Sequence, residues 1–205
     1  MIAIIDYGVG NLFSLSSSLK CIGAESVITA DPEVIRKADR VLLPGVGAFG
    51  DAVNKLRETG LDKIVIEQAE SDKPLMGICL GMQLLFEKGY EYGVHEGLGL
   101  LKGNVVPMEG VIPEELNIPH MGWNKLDICR ENTLLRNIKE GDCVYFVHSY
   151  YATDCDDSVI ATAEYGANLT AAVQKGNVMG CQFHPEKSGK VGLNILKAFN
   201  EEGII

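Results

Sequence analysis

The 205-residue sequence predicts an α/β fold, with a central, mostly parallel sheet covered by helices on both faces and an added region of antiparallel strands. The first half alternates short, fully apolar runs with amphipathic segments, the pattern of strands buried on both sides by crossover helices. The second half instead strings strand-like runs together with turn residues between them. Hydrophobic residues make up 46% and charged residues 22% of the chain, ordinary globular usage. No linker or compositional break divides it, so a single domain over residues 1–205 is expected.

Taken in order, "IAIIDY" reads as a strand, "NLFSLSSSLKCIG" as a helix and "ESVITA" as a second strand. "DPEVIRKAD" carries its own helix start, with Asp31 as N-cap and Pro32 at the first helical position. "RVLLPG" follows as a strand, "GDAVNKLRETGLDKIVIEQAES" as a helical region, "PLMGICL" as a strand and "GMQLLFEKG" as a helix-like segment. The runs "LGLLKGNVVPM", "HMGWNKLDI", "CVYFVHSYYAT", "SVIATAEYG", "LTAAVQKG" and "VMGCQFHP" read as the antiparallel additions. "KVGLNILKAFNEEG" places Leu193, Leu196 and Phe199 at helical spacing and closes the chain with a helix.

A net charge of −10, with 18 scattered basic residues, argues against a nucleic-acid or anionic-membrane surface. The partners expected are small molecules or proteins. "MIAIIDYGVGN" has no basic leader, and Asp6 interrupts its apolar run too early for a secretion signal. Six cysteines lie far apart with no C-x-x-C pair, so all are expected reduced and the protein cytoplasmic. Cys21, Cys129, Cys143 and Cys181 are expected as small buried hydrophobes. No metal or other cofactor is expected.

Cys79 stands apart. In "GICLGMQ" it follows a strand, precedes a helix-like segment and has a glycine two residues away on each side. That is the pattern of a nucleophile elbow with cysteine in place of serine, where a strained turn presents the nucleophile and its flanks must be small. The positive end of a following helix would favour a thiolate. On this segment alone, an inert core cysteine beside incidental glycines stays open.

"QFHPEKS" supplies a second component. Pro185 disfavours helix at His184 and holds the segment extended, so His184 and Glu186 can point to the same side. A carboxylate can then hold one imidazole nitrogen and leave the other for a thiol, giving nucleophile, base and orienter in Cys79, His184 and Glu186. An oxyanion acceptor is expected from the N–H of Leu80 together with one near Val46 or Gly47, in the glycine-rich turn of "LLPGVGAFG". The same glycines would equally serve a tight strand-to-helix connection.

Through "PGVG", "GICLGMQ" and "FHPE", in that order, the chain resembles the class I glutamine amidotransferases over nearly its whole length. The resemblance implies their flavodoxin-like three-layer fold. "DYGVGN", "YEYGVHEGLGLL", "PHMGWN", "FVHSYY" and "FHPEKSG" are similar, within that family, to the glutaminase subunits of imidazole glycerol phosphate synthases in histidine biosynthesis. It implies that Cys79 attacks the side-chain amide of glutamine, that His184 relays protons and that Glu186 orients it. Glutamine would be held at Gly47, Gln83, Glu91 and the main chain of Ser149 and Tyr150.

The resemblance further implies a separate cyclase subunit with a (β/α)₈ barrel, since ammonia released into water is protonated and lost as a nucleophile. The heterodimer would form imidazole glycerol phosphate and an aminoimidazole carboxamide ribonucleotide. Tyr7, Asn11 and Phe13 of the first loop, with Trp123 and Lys187, are expected on the cyclase-facing side. For Trp123 a core position between strands is the competing expectation. The rival functions are a glutaminase serving another synthase, in vitamin B6 formation or sugar amidation, a non-catalytic interaction protein on the same fold, and a self-sufficient cysteine hydrolase.

Overall fold

The computed structural model describes residues 1–201. Its first half runs β1 (Ile2–Ile5), α1 (Leu12–Cys21), β2 (Ser26–Thr29), α2 (Pro32–Lys37), β3 (Arg40–Gly45), α3 (Phe49–Thr59), α4 (Leu61–Glu70), β4 (Leu75–Cys79) and α5 (Leu80–Leu84). There follow β5 (Lys88–Gly89), β6 (His95–Glu96), β7 (Asn104–Pro107), β8 (His120–Lys125), β9 (Asp127–Ile128), β10 (Cys143–His148) and β11 (Tyr150–Thr153). The chain ends with β12 (Val159–Glu164), β13 (Asn168–Lys175), β14 (Val178–Cys181), a 3₁₀ turn (Pro185–Lys187) and α6 (Gly189–Glu201). The last two residues of the expected closing helix, Glu202 and Gly203, lie outside the described residues.

An eight-stranded sheet in the order β2-β1-β3-β4-β14-β13-β12-β9 forms the centre. The strands from β2 to β14 are parallel, and β13, β12 and β9 extend the sheet antiparallel. Alternation along each strand divides the core between the two faces. Ala3, Ile5, Val41, Leu43 and Leu75 join the cluster with residues of α2, α3, α4 and α5. Ile2, Ile4, Leu42, Met76 and Ile78 join the cluster with Leu15 and Leu19 of α1 and Ile195, Leu196 and Phe199 of α6. Three layers result, as expected.

Local signals explain the helix ends. Asp31 Oδ1 accepts the Glu33 N–H at 2.9 Å and Pro32 opens α2. Gly60, at φ 71°, ends α3 and starts α4, dividing the long helical region in two. α5 is much shorter than "GMQLLFEKG" suggested, because a following loop takes the carbonyls at and just beyond its end: Leu98, Gly99 and Leu101 donate to Leu84, Phe86 and Leu85. Beyond it, β8 and β10 form a two-stranded sheet, and β11, β7, β5 and β6 a four-stranded one.

The cysteines depart from expectation. Cys181 is buried, but Cys21, Cys129 and Cys143 are exposed, at the end of α1, just after β9 and at the start of β10. Each sits where its element leaves the core, so local apolarity was a poor guide to depth. All six are free thiols. No helix among the described residues is long and apolar enough to cross a membrane.

Candidate active site

Three adjacent parallel strands bring the candidate residues to one edge of the sheet, the carboxyl end where ligands of open α/β sheets bind. Gly45, the last residue of β3, pairs with Cys79, the last of β4. On the other side of β4, Cys181 pairs with Ile78, and His184 follows three residues later. Val46, Gly47, Cys79, Leu80, Gln83, Glu91, Ser149, Tyr150, His184 and Lys187 all line one cleft of about 320 Å³, joined by Pro119, Val147 and His148.

Cys79 has φ 55° and ψ −114°, a backbone state that a non-glycine residue holds only under constraint. The flanking glycines show what constrains it. A Cβ on Gly77 would lie 2.6 Å from the Gly81 carbonyl oxygen, so β4 and α5 touch backbone to backbone. With five residues, α5 has little dipole to offer the thiol. Side chains take up that task.

The Gln182 amide donates to Cys79 Sγ at 3.7 Å, the Cys79 thiol lies 4.0 Å from the Val147 carbonyl, and His184, lining the same cleft, interacts electrostatically with Cys79. His184 Nδ1 donates to Glu186 Oε1 at 2.8 Å. His184 and Glu186 are both buried, so the pair is shielded from water. Burial alone would lower the His184 pKa, but its interactions with Cys79 and Glu186 outweigh this and raise it to about 9. Cys181 is pushed well up by burial, with Glu186 and Cys79 adding to the effect, and stays a neutral thiol. The arrangement can deliver a sulfur nucleophile and hold the proton it gives up.

Gln83 reaches the cleft from α5, but both of its amide hydrogens are committed, to Tyr150 O at 3.2 Å and Gln182 Oε1 at 2.9 Å. It can offer a ligand only Oε1. Glu91 Oε2 accepts the Phe49 N–H at the start of α3, leaving its other oxygen for a ligand. The carbonyl of Ser149 is taken by the Met108 N–H, and that of Tyr150 by Gln83 and His148. Any contribution of this wall to a ligand therefore falls to its remaining atoms. Among the described residues, no three His, Cys, Asp or Glu side chains converge as metal ligands.

Beside the cleft, Trp123 is 58% exposed and meets the Tyr145 ring edge-on at 6.2 Å, and Lys187 Nζ lies 5.9 Å from the centre of the same ring. Trp123 thus belongs to the surface, with Met121 and Phe13 also exposed. Asn11 is half-buried at the start of α1. Tyr7 is a correction: it is buried, its hydroxyl donating to Pro44 O at 2.9 Å beneath the glycine turn. Sequence reasoning also missed Gln182, whose signal was a polar residue between two buried apolar ones, and His148, which lay unused in "FVHSYY".

The glutamine amidotransferase class-I family profile matches residues 3–201. A protein of Lactococcus lactis subsp. lactis, "Imidazole glycerol phosphate synthase subunit HisH", is 52% identical over 98% of this chain and 98% of its own. A protein of the same name from Aquifex aeolicus is 48% identical over 97% of this chain and 95% of its own. The solved "Structure of PurLQS from Thermotoga maritima" superposes with a TM-score of 0.75 at 22% identity, covering 97% of this chain and 96% of that one. "Crystal structure of glutamine amidotransferase" gives 0.75 at 20% identity, covering 97% and 99%. With the cleft, the fold and these full-length likenesses in agreement, the chain belongs to the class-I glutamine amidotransferase family.

Proposed function

We infer that the chain is the glutaminase subunit of an imidazole glycerol phosphate synthase, one glutamine amidotransferase domain over residues 1–205. It hydrolyses glutamine and passes the ammonia to a cyclase partner that makes imidazole glycerol phosphate and an aminoimidazole carboxamide ribonucleotide. One observation carries the chemistry: a cysteine in a strained turn shares its cleft with a histidine that interacts with it and whose other side is held by a buried carboxylate. The relatives of about half identity over the full chain carry the choice of pathway.

In this reading Cys79 Sγ attacks the side-chain amide carbon of glutamine, and its proton passes to His184. The carbonyl oxygen takes up the negative charge and is met by the N–H of Leu80 and one from Val46 or Gly47. His184 returns the proton to the departing nitrogen, the C–N bond breaks and ammonia leaves a glutamyl thioester. Water, deprotonated by His184, then breaks the C–S bond to give glutamate and restore the thiol. Glu186 holds the ring in the tautomer that this shuttle needs. The free Oε1 of Gln83 and the second oxygen of Glu91 suit the amino group of the substrate, and Gly47, Ser149 and Tyr150 close the pocket around it.

The partner is a (β/α)₈ barrel that docks over Asn11, Trp123 and Lys187, and the complex works in the cytoplasm. The test is glutamine hydrolysis by the chain with and without a purified cyclase and its nucleotide. Turnover that rises on adding both supports the reading, and a chain that leaves glutamine intact in their presence refutes it.

A further inference from the structure

Two motifs of the sequence, "PHMGWN" and "FVHSYY", each contribute a histidine that the reaction scheme leaves idle. His120 and His148 stand directly opposite each other in the antiparallel pair β8 and β10, and both are buried. His120 Nδ1 and His148 Nε2 are 3.0 Å apart. His148 Nδ1 lies 2.8 Å from Tyr150 O, and Asn124 Nδ2 lies 3.3 Å from His120 Nε2. His120 is stacked between Phe146 and Tyr165, with ring centres at 4.7 and 4.2 Å. Neither ring can turn freely.

These contacts fix every proton. The Tyr150 carbonyl can only accept, so His148 Nδ1 carries hydrogen. In a neutral ring His148 Nε2 is then an acceptor, so His120 Nδ1 donates to it. His120 Nε2 in turn accepts from Asn124, whose Oδ1 is held by the Lys125 N–H at 2.8 Å. Burial keeps both rings neutral, lowering the pKa of His148 to about 4 and that of His120 in the same direction. The result is a one-way chain of donors from Asn124 to the Tyr150 carbonyl.

That carbonyl is also where Gln83 donates, and Gln83 holds the Gln182 amide that reaches Cys79 Sγ. On β8 the side chains alternate: His120 and Asn124 face inward, while Met121 and Trp123 are exposed. We propose that His120 and His148 are positioning residues for glutamine hydrolysis, holding the Tyr150 carbonyl and through it the Gln83–Gln182–Cys79 contacts, so that the strand bearing Trp123 is tied to the nucleophile. The catalytic part of this rests on the glutaminase reading, whereas the effect on thiol reactivity does not.

The test uses His120→Phe and His148→Phe, which keep an aromatic ring and remove the hydrogen bonds, singly and together. Two readouts are taken: glutamine kcat/KM in the complex with cyclase, and the rate at which iodoacetamide alkylates Cys79 in the full chain alone. For the second, Cys21, Cys129 and Cys143 are replaced by serine to silence the exposed thiols.

Each single variant is expected to lower kcat/KM about tenfold and to change the alkylation rate severalfold, with secondary structure intact. The double variant should be no worse than the worse single, as for members of one chain. His148→Gln, which keeps a donor and an acceptor, should recover part of both readouts. Either readout within twofold of wild type in both single variants, or losses that multiply in the double, overturns the proposal. If the phenylalanine variants do not fold, Asn124→Leu decides: a threefold or greater loss of kcat/KM supports the chain and a wild-type value overturns it. A wild-type complex without glutaminase activity would strike at the proposed function, while the alkylation rates would still judge the chain.

Discussion

Gly81 rests against the carbonyl of Leu43, so that a Cβ added to it would stand 1.8 Å from that oxygen. The contact presses the start of α5 onto β3 and sets where the Cys79 turn lies between them. Neither partner can yield cheaply, because both atoms at the contact belong to backbone. Gly81→Ala is therefore expected to cost about 1–3 kcal/mol, or more if β3 cannot shift, with a thermal midpoint lower by roughly 2–4 °C per kcal/mol. Glutaminase activity should fall further than stability, since the displaced backbone carries the nucleophile. Thermal melts and steady-state rates on one preparation check both, and an alanine variant with wild-type melting and turnover would remove the packing argument.

A glutamine-mimicking electrophile should label Cys79 and spare the other five cysteines. Cys21, Cys129 and Cys143 are accessible but stand outside the cleft, and Cys155 and Cys181 are buried thiols raised by their surroundings. His184→Ala should lower kcat/KM by about 10²–10⁴-fold, the usual share of a general base, and Glu186→Ala by less, because it only orients that base. Peptide mapping of the adduct and rates with saturating cyclase decide the matter. Labelling centred on Cys181, or an active His184→Ala protein, would overturn these roles.

Two buried histidines give stability opposite slopes with pH. His184 has its folded pKa raised to about 9 from an ordinary 6.5, so its contribution is complete below pH 6.5 and is lost as the pH climbs toward 9. His148 is lowered to about 4, so the unfolded chain binds the proton first and stability drains as the pH falls from 6.5 toward 4. Denaturant melts across that range should show His148→Phe flattening the acid limb and leaving the alkaline one. Cys79→Ala should bring the His184 titration, followed by imidazole NMR, down from about 9, because an interaction that favours the charged ring is gone. An unmoved titration would rule out that pairing.

Trp123, Tyr145 and Lys187 touch in sequence beside the cleft mouth. If the cyclase docks there, Trp123→Ala should weaken the complex by about 1–3 kcal/mol, in the manner of an aromatic anchor, and leave turnover of the isolated chain unchanged. Lys187→Ala should reduce stimulation by the cyclase more than basal turnover. Val46→Pro removes a main-chain N–H and should abolish stimulated hydrolysis. Titrating cyclase against glutaminase rate separates binding from activation, and a Trp123→Ala complex of wild-type affinity would move the interface elsewhere.

Much of this site could be read from local sequence, because its main parts sit at strand ends. The spacing of Gly77, Cys79 and Gly81 points to a turn, and His184-Pro185-Glu186 to an extended pair, and the two together favour a nucleophile with its base. The alternation of apolar runs with helical segments likewise foretold a parallel sheet. What stayed hidden depends on distant neighbours. Nothing near Tyr7 says that Pro44 will take its hydroxyl, and nothing near Leu85 says that residues 98–101 will end α5. The bonds from Gln83 to Gln182 and from His120 to His148 join residues 99 and 28 positions apart. Exposure of Trp123 and of three cysteines likewise followed from tertiary placement rather than from the apolarity of their surroundings.

The positive φ of Cys79 sets function against comfort at a single codon. Holding a side chain in that conformation costs on the order of 1–3 kcal/mol, which glycine would not incur. Selection for a durable fold alone would therefore favour glycine at position 79, and only the need for sulfur keeps cysteine there. Gly77 and Gly81 are under the reverse pressure, since packing against backbone excludes any larger residue whether or not the protein is active. A duplicated gene released from its reaction should thus drift first at the nucleophile and last at the glycines around it, so that a decayed copy would keep the frame of the elbow after losing its thiol.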